Sequence, residues 1–259
     1  MRIPRPLSWE KVVWLLFDSI LTTVGEWIES FTIIFERVFI REDRYLLWLE
    51  GIQNTLVIAF FALIIGLVLG FFTAMARVSH DAALKPNLFL RILNRIIKIY
   101  ITIIRGTPMM VQLLIFNFII LAASRNQVLI AIIAFGINSS AYASEIFRGG
   151  ILSVEKGQAE AGRSLGLNYS QTMLKVILPQ AVKNSLPALG NEFITVLKET
   201  ALAGQVAVID VTRVGTILRG LTYDPTPLLF VAAVYLILVL FLEFLVGRLE
   251  RRLRRSDQR

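Results

Sequence analysis

No cysteine occurs anywhere in the chain. Disulfides and thiolate metal sites are therefore excluded, and the redox compartment stays open. The single histidine, His80, has no partner nearby in sequence and reads as a surface residue, not a ligand. No histidine cluster and no nucleophile–base constellation appear, so no catalytic residue, metal or cofactor is assigned and a membrane-integral enzyme is unsupported. The phosphate-binding loop GxxxxGK[ST] is missing, so this chain cannot supply ATP chemistry by itself. The first residues lack an uninterrupted apolar core before a small-residue cleavage site, which argues against a signal peptide. Barrel-like alternation is absent, and so is the inverted internal repeat that marks many ion-coupled carriers.

What is abundant is apolar surface. Of 259 residues 56% are hydrophobic, and the mean hydropathy is +0.67, which makes a bilayer the expected solvent. The net charge of +8 could suggest nucleic acid. The basic residues flank apolar runs instead, so membrane orientation explains them and no nucleic-acid partner is expected. A helix needs about 20 mostly apolar residues to cross the hydrocarbon core. Windows 54–76, 107–123, 128–147 and 227–247 qualify; 186–209 is long enough but carries Asn191, Glu192, Lys198 and Glu199. It is accepted as a fifth span lining a polar interior. The fold class is all-α integral membrane, because continuously apolar segments satisfy their backbone only as helices.

Lysine and arginine placement orients the spans. The connections 77–106 and 148–185 and the tail after 247 hold seventeen, against three (Arg125, Arg213, Arg219) in the loops of the opposite side. The positive-inside rule puts the former, and the C-terminus, in the cytoplasm. Residues 1–45 form a separate extension. Lys11, Asp18, Thr22, Glu29 and Glu36 fall within about 40° of one another on a helix, a narrow polar stripe on an apolar cylinder. Asp18, Glu26 and Glu29 would each cost on the order of 2–3 kcal/mol in lipid. That favours an amphipathic helix in the interface or packed sideways on the bundle. A sixth span starting inside, anchored by Arg2, Arg5 and Lys11, also fits the parity. The conducting domain is then 46–250, followed by a basic tail, 251–259.

The loop 148–185 is too long for a turn. Residues 153–164 have helix formers and small residues, and Gly166 can end the helix in a left-handed conformation. A second helical stretch, 170–178, is expected to stop at Pro179. So short a helix is unstable alone and must be docked on something; an amphipathic helix resting on headgroups is the bland alternative. The stretch "EAGRSLGLNYSQTMLKVILP" (160–179) resembles the cytoplasmic loop signature of ABC-importer permeases: EAA, three residues, Gly, nine residues, Ile, one residue, Leu-Pro. Gly162 replaces the second Ala and Val176 the Ile. "RGTPMMVQL" (105–113), "AYASEIFRGGILSVEKGQAEAG" (141–162), "ILPQA" (177–181) and "PALGNEFITVLKETAL" (187–202) narrow the resemblance to the polar amino-acid uptake branch, over about residues 50–250 but not the N-terminal extension.

That resemblance implies a five-span type I importer in the bacterial inner membrane. Its partners would be two ABC ATPase subunits, a second permease copy or a homologous permease, an extracytoplasmic solute-binding protein, a polar amino acid and membrane lipid. The loop would form coupling helices seated in a groove of the ATPase, through Gln158, Glu160, Ala161, Gly162, Arg163, Ser164 and Gly166. Ala159, Ala161 and Gly162 would permit close backbone approach, and Glu160 and Arg163 polar contacts at the rim. The alternative is an ion-coupled carrier or channel for amino acids.

The fifth window carries the strongest case for a solute path. Glu192, Thr195 and Glu199 share one helix face, and Asn191 and Lys198 a second about 100° away. Ionisable groups at membrane depth face a cavity or each other. Lys198 and Glu199 could together engage the carboxylate and ammonium of a zwitterion; the competing reading is a salt bridge to another helix, with Glu192 pairing a Lys or Arg. Thr107 and Pro108 are expected to cap and begin the second span, Thr107 meeting a carboxylate if the break lies deep; otherwise Arg105 is an interfacial anchor. Gln112, Asn117 and Asn138 are intraspan amides, of which Gln112 and Asn138 are further solute candidates, although such groups usually bridge helices. Glu145 and Arg148 read as a structural pair. Asp210, Arg213, Arg219 and Asp224 are expected to meet the binding protein or cap the cavity.

Overall fold

The structure, a computed structural model, describes residues 9–257, so the anchors Arg2 and Arg5 and the last two residues of the basic tail lie outside it. Every regular element among the described residues is helical. The order is α1 (Trp9–Phe35), α2 (Tyr45–Ala82), α3 (Leu88–Gly106), α4 (Met109–Ile115), α5 (Gln127–Leu152), α6 (Lys156–Ser164), α7 (Tyr169–Thr172), α8 (Leu178–Glu199), α9 (Val211–Thr222) and α10 (Pro227–Asp257). Helices α2, α5 and α10 are long and apolar enough to cross a membrane alone. Two bent pairs, α3 with residues 109–120 and residues 169–206 with α9, bring the number of spans to five when each counts once.

The centre of the bundle is the seam between α2 and α5. Ile58, Ala62, Gly66, Gly70, Ala74 and Val78, every fourth residue of α2, are all buried. They meet the buried small residues Gly136, Ser139, Ser140, Ala143 and Ser144 of α5. In lipid, where apolar burial gives no preference for another helix, such small residues let backbones approach until packing and polar contacts hold them. Helix α8 lies against both helices, with Leu189 in one apolar cluster with Ala74 of α2 and Ala143 and Phe147 of α5.

Four local expectations are corrected. The basic connection after the first span is not a long loop: α2 runs on to Ala82, and only residues 83–87 separate it from α3, whose first turn is capped by Asn87 Oδ1 accepting from Leu90 N at 2.8 Å. His80 there is half-buried, its Nδ1 3.0 Å from Asp81 Oδ1 and 2.9 Å from Asn94 Nδ2, so its main partner comes from the next helix. The second span does not begin cleanly at Thr107: α3 and α4 are bent by 109° across residues 107–108. Pro108 forces Thr107 into extended geometry (φ −119°, ψ 145°), and the Thr107 hydroxyl donates back to Ile103 O at 2.8 Å. Thr107 closes α3 and does not cap α4. Pro179 does not interrupt the chain either. A π turn, Met173–Ile177, precedes it, so it occupies the first turn of α8, where its missing N–H forfeits nothing.

At the end of the bundle opposite the α5–α8 connection, α8 tightens into a 3-10 turn (Thr200–Val206), Ala207 turns left-handed (φ 62°), and α9 starts at Asp210. Asp210 is wholly buried. Its carboxylate accepts from Thr212 N (2.9 Å) and Arg213 N (3.1 Å), while Val211 N donates to Thr55 Oγ1 (3.3 Å) and Asn54 Nδ2 to Ile209 O (2.9 Å). Asp210 therefore cannot meet a binding protein; Arg213 and Arg219 remain exposed. Asp224 accepts from Thr226 N at 2.8 Å and from the Thr226 hydroxyl, and lies 4.0 Å from Arg37. The Thr226 hydrogen bonds hold its carboxyl below the usual carboxylate range.

The extension is one helix, α1, whose apolar residues Trp14, Phe17, Leu21, Ile28 and Phe31 are exposed. It meets the bundle at its last turns, where the rings of Phe31 and Phe230 are 6.4 Å apart. Residues 36–44 pack into the body. Val38 and Trp48 share an apolar cluster with Val211, Val214, Leu218 and Val231, and the buried Arg44 donates to Arg37 O at 2.8 Å. Replacing Asp210 by Ala should lower stability by about 1–2 kcal/mol, the range for a lost helix cap. Thermal unfolding of the purified protein in detergent checks this, with Asp210→Asn, which keeps the acceptor, expected to stay near the wild type.

Candidate functional site

The loop between α5 and α8 is a compact hairpin. Helix α6 ends as expected at Gly166, which has φ +79°. Leu167 N donates to Gly162 O (3.1 Å) and Gly166 N to Arg163 O (2.9 Å), the Schellman pattern, which needs a residue that tolerates positive φ. Helix α7 then opens with a reciprocal cap: Gln171 N donates to Asn168 Oδ1 (2.9 Å) and Asn168 N to Gln171 Oε1 (3.0 Å). This cap was legible in sequence as a polar residue followed three later by Gln.

The hairpin is seated, not hanging. Val154 and Ala159 pack on a cluster of Val78, Ile151, Met173, Ile177 and Ala181, which draws on α2, α5 and α8. Asn184 Nδ2 donates to Ser153 Oγ at 2.9 Å. Gly162 is buried, and a Cβ built on it would lie 2.7 Å from Thr172 Cγ2. The close approach it permits is to Thr172 of the same chain, which accounts for Gly where the signature has Ala. Gln158, Glu160, Ala161, Arg163, Ser164 and Gly166 are exposed around it, beside Leu165 at 81% exposure.

Beneath the hairpin an ionic cluster ties α2 to α5. Glu145 accepts from Arg77 Nη1 through one oxygen, and through the other from Arg148 Nε (3.1 Å) and Nη2 (2.9 Å). The Glu145–Arg148 pair follows from their spacing; Arg77, sixty-eight residues away, does not.

Along α8 the polar residues of the fifth window are displayed with few partners. Glu192 Oε1 accepts from Ser139 Oγ at 2.8 Å. Its partner is thus a serine on α5, not the Lys or Arg of the salt-bridge alternative. Thr195 and Lys198 are exposed and Glu199 is half-buried; none of the three acidic or basic groups joins an ion pair among the described residues. Thr107, Gln112 and Asn138 come together elsewhere, at the α3–α4 break. Gln112 Nε2 donates to Ile104 O (2.7 Å) and Thr107 Oγ1 (2.8 Å), and Gln112 Oε1 accepts from Asn138 Nδ2 (3.0 Å). Gln112 thereby takes up carbonyls that the break releases, and Asn138 holds Gln112 in place. Arg105, read from sequence as an anchor at the interface, lies over the ring of Tyr142 at 5.1 Å.

A five-span helical bundle with a seated hairpin between its third and fourth spans is the transmembrane domain of a type I ABC importer. The chain matches the model of the family described as binding-protein-dependent transport system inner membrane component over residues 66–255, and it belongs to that family, whose members are transport components and not catalysts. It is 37% identical over 209 residues to the L-cystine transport system permease protein TcyB of Bacillus subtilis, covering 79% of this chain and 86% of that protein. Identity to the arginine transport system permease protein ArtQ of the same organism is 37% over 213 residues, covering 81% and 93%. A crystal structure of an amino acid ABC transporter with histidines superposes with a TM-score of 0.71 at 38% identity, covering 80% of this chain and 94% of that one.

Substituting Glu145 by Ala leaves two guanidinium groups without their shared acceptor. It should cost about 1–3 kcal/mol, read as a lower melting temperature in detergent, with Glu145→Asp retaining part of the difference.

Proposed function

We propose that this chain is the conducting subunit of an ATP-driven importer that carries a polar or charged amino acid into the cytoplasm of a bacterium. It works beside a second copy of itself or a homologous permease. Two ATPase subunits dock on the α6–α7 hairpin, and an extracytoplasmic binding protein delivers solute at the α9 end, where Arg213 and Arg219 are offered. The hairpin carries this reading. It exposes small and polar side chains outward while its inner side is locked to α2, α5 and α8, so a push on the hairpin is a push on three spans. An isolated surface helix lacks that rigid seat. The lysines and arginines gathered at the hairpin end support a cytoplasmic position for the hairpin and the C-terminus, with α1 lying in the interface beside the conducting domain 46–250.

Solute passes along α8. Lys198 and Glu199 take the two charges of a zwitterion, and Glu192 and Thr195 extend the face inward. Their lack of ion-pair partners supports this, because a charge at membrane depth is retained for a pathway or a counter-ion. Thr107, Gln112 and Asn138 serve the path by holding the α3–α4 break open and satisfied.

Reconstitution with and without ATPase and ATP separates this reading from an ion-coupled carrier: uptake should require both, and uptake from an ion gradient alone would sink it. Gly166→Val, which strains a left-handed position, should reduce ATP-driven uptake by about tenfold or more, since even about 1.4 kcal/mol of misplacement amounts to that, while the ATPase stays active and the protein inserts normally. Lys198→Gln or Glu199→Gln should impair uptake with the complex still assembled; loss of assembly instead would assign those charges to packing.

A further inference from the structure

Arg105 has no part in the transport scheme above. It lies in the last turn of α3, and it and the next three residues, Gly106, Thr107 and Pro108, are exposed. Its guanidinium carbon lies 5.1 Å from the ring centroid of Tyr142, and it forms no ion pair with any described residue. Tyr142 lies ten residues before the end of α5 and fifteen after its start. At about 1.5 Å per residue this puts the contact roughly 15 Å from one helix end and 22 Å from the other. A cation that deep in a span faces water, a partner charge or a solute, not lipid.

Its surroundings are organised. Ser139, one turn from Tyr142 on α5, is the residue that hydrogen-bonds Glu192. The ring that holds Arg105 and the hydroxyl that holds Glu192 thus sit on consecutive turns of one rigid helix. A stacked aromatic ring orients a guanidinium without neutralising it. The in-plane N–H groups stay available for a carboxylate, which guanidinium binds through two parallel bonds. An ion pair with Glu192 would have consumed that capacity; the Ser139 hydrogen bond draws the carboxylate of Glu192 elsewhere.

We propose that Arg105 is a carboxylate-binding residue of the solute path, forming with Glu192 a second zwitterion station. The first, Lys198 and Glu199, lies about two turns, ~10.5 Å, further along α8. That spacing exceeds the separation between the carboxylate and ammonium of one amino acid, so a solute steps from one opposite-charge pair to the next. The inference rests on the amino-acid import reading and adds to it the residue that recognises the acid group.

The test uses the permease–ATPase complex in lipid nanodiscs without binding protein. Direct binding of a panel of proteinogenic amino acids and L-cystine is measured, and the best binder is compared with its own α-amide, which lacks the anionic group. The wild type should prefer the acid by about tenfold or more. In Arg105→Gln acid binding should weaken by about that factor with amide binding unchanged, so the ratio falls toward one. Arg105→Lys should recover part of the ratio, and Tyr142→Phe, which keeps the ring, should retain it. A purely structural role would weaken both ligands equally; that result, or an unaltered ratio in Arg105→Gln, overturns the proposal. If the wild-type complex binds no member of the panel while vesicles still import one with ATP, the station is wrong and the import reading stands. If uptake fails as well, that reading falls with it.

Discussion

Close approach of α2 and α5 is the contact on which the rest of the molecule depends. A row of small side chains at every fourth position of α2 lets α5 press against it, and α5 then serves as a shared wall for polar groups of three other helices. Ser139 reaches Glu192 on α8, Tyr100 on α3 donates to Ile137 O at 2.7 Å, and Glu145 reaches Arg77 on α2. Larger residues along that seam would move these groups out of hydrogen-bonding range, because a bilayer supplies no water to bridge the gap.

The non-helical backbone follows the same constraint. The α3–α4 break releases carbonyls at depth, and Gln112, itself held by Asn138, collects them. The turn from α8 into α9 is secured by Asp210 and Thr55, both wholly buried. In both places polar side chains take up the backbone groups left over, Gln112 of α4 at the break, and Asp210 with Thr55 and Asn54 of α2 at the turn, as lipid-embedded backbone requires. Lys198 and Glu199 of α8 join no ion pair among the described residues and are proposed for solute contact together with Glu192, which keeps one hydrogen bond from Ser139.

Rigidity is distributed accordingly. The hairpin is bound to three helices by apolar packing and by hydrogen bonds at its base, yet its outer side is small, polar and open. Such a part can transmit displacement without deforming. The opposite case is α1, a long helix whose described side chains are mostly exposed and which meets the bundle at its last turns.

Much of this was legible in the chain. Apolar runs, their basic flanks and the small-residue hairpin ending at Gly166 are short-range features, decided within a few residues by hydropathy and backbone sterics. They determined an all-helical membrane bundle, five spans and the left-handed turn at Gly166. Cross-helix partners were not legible. Nothing local to Glu192 names Ser139, nothing near Glu145 names Arg77, and Asp210 looked like an exposed loop acid. Pro108 and Pro179 show the same limit. One sits at a sharp bend and the other in an unbroken run, because a proline's effect depends on whether the hydrogen bond it forbids was needed there. Rotation and depth of each helix, set by packing between residues far apart in the chain, decided those outcomes, and only the tertiary structure contains them.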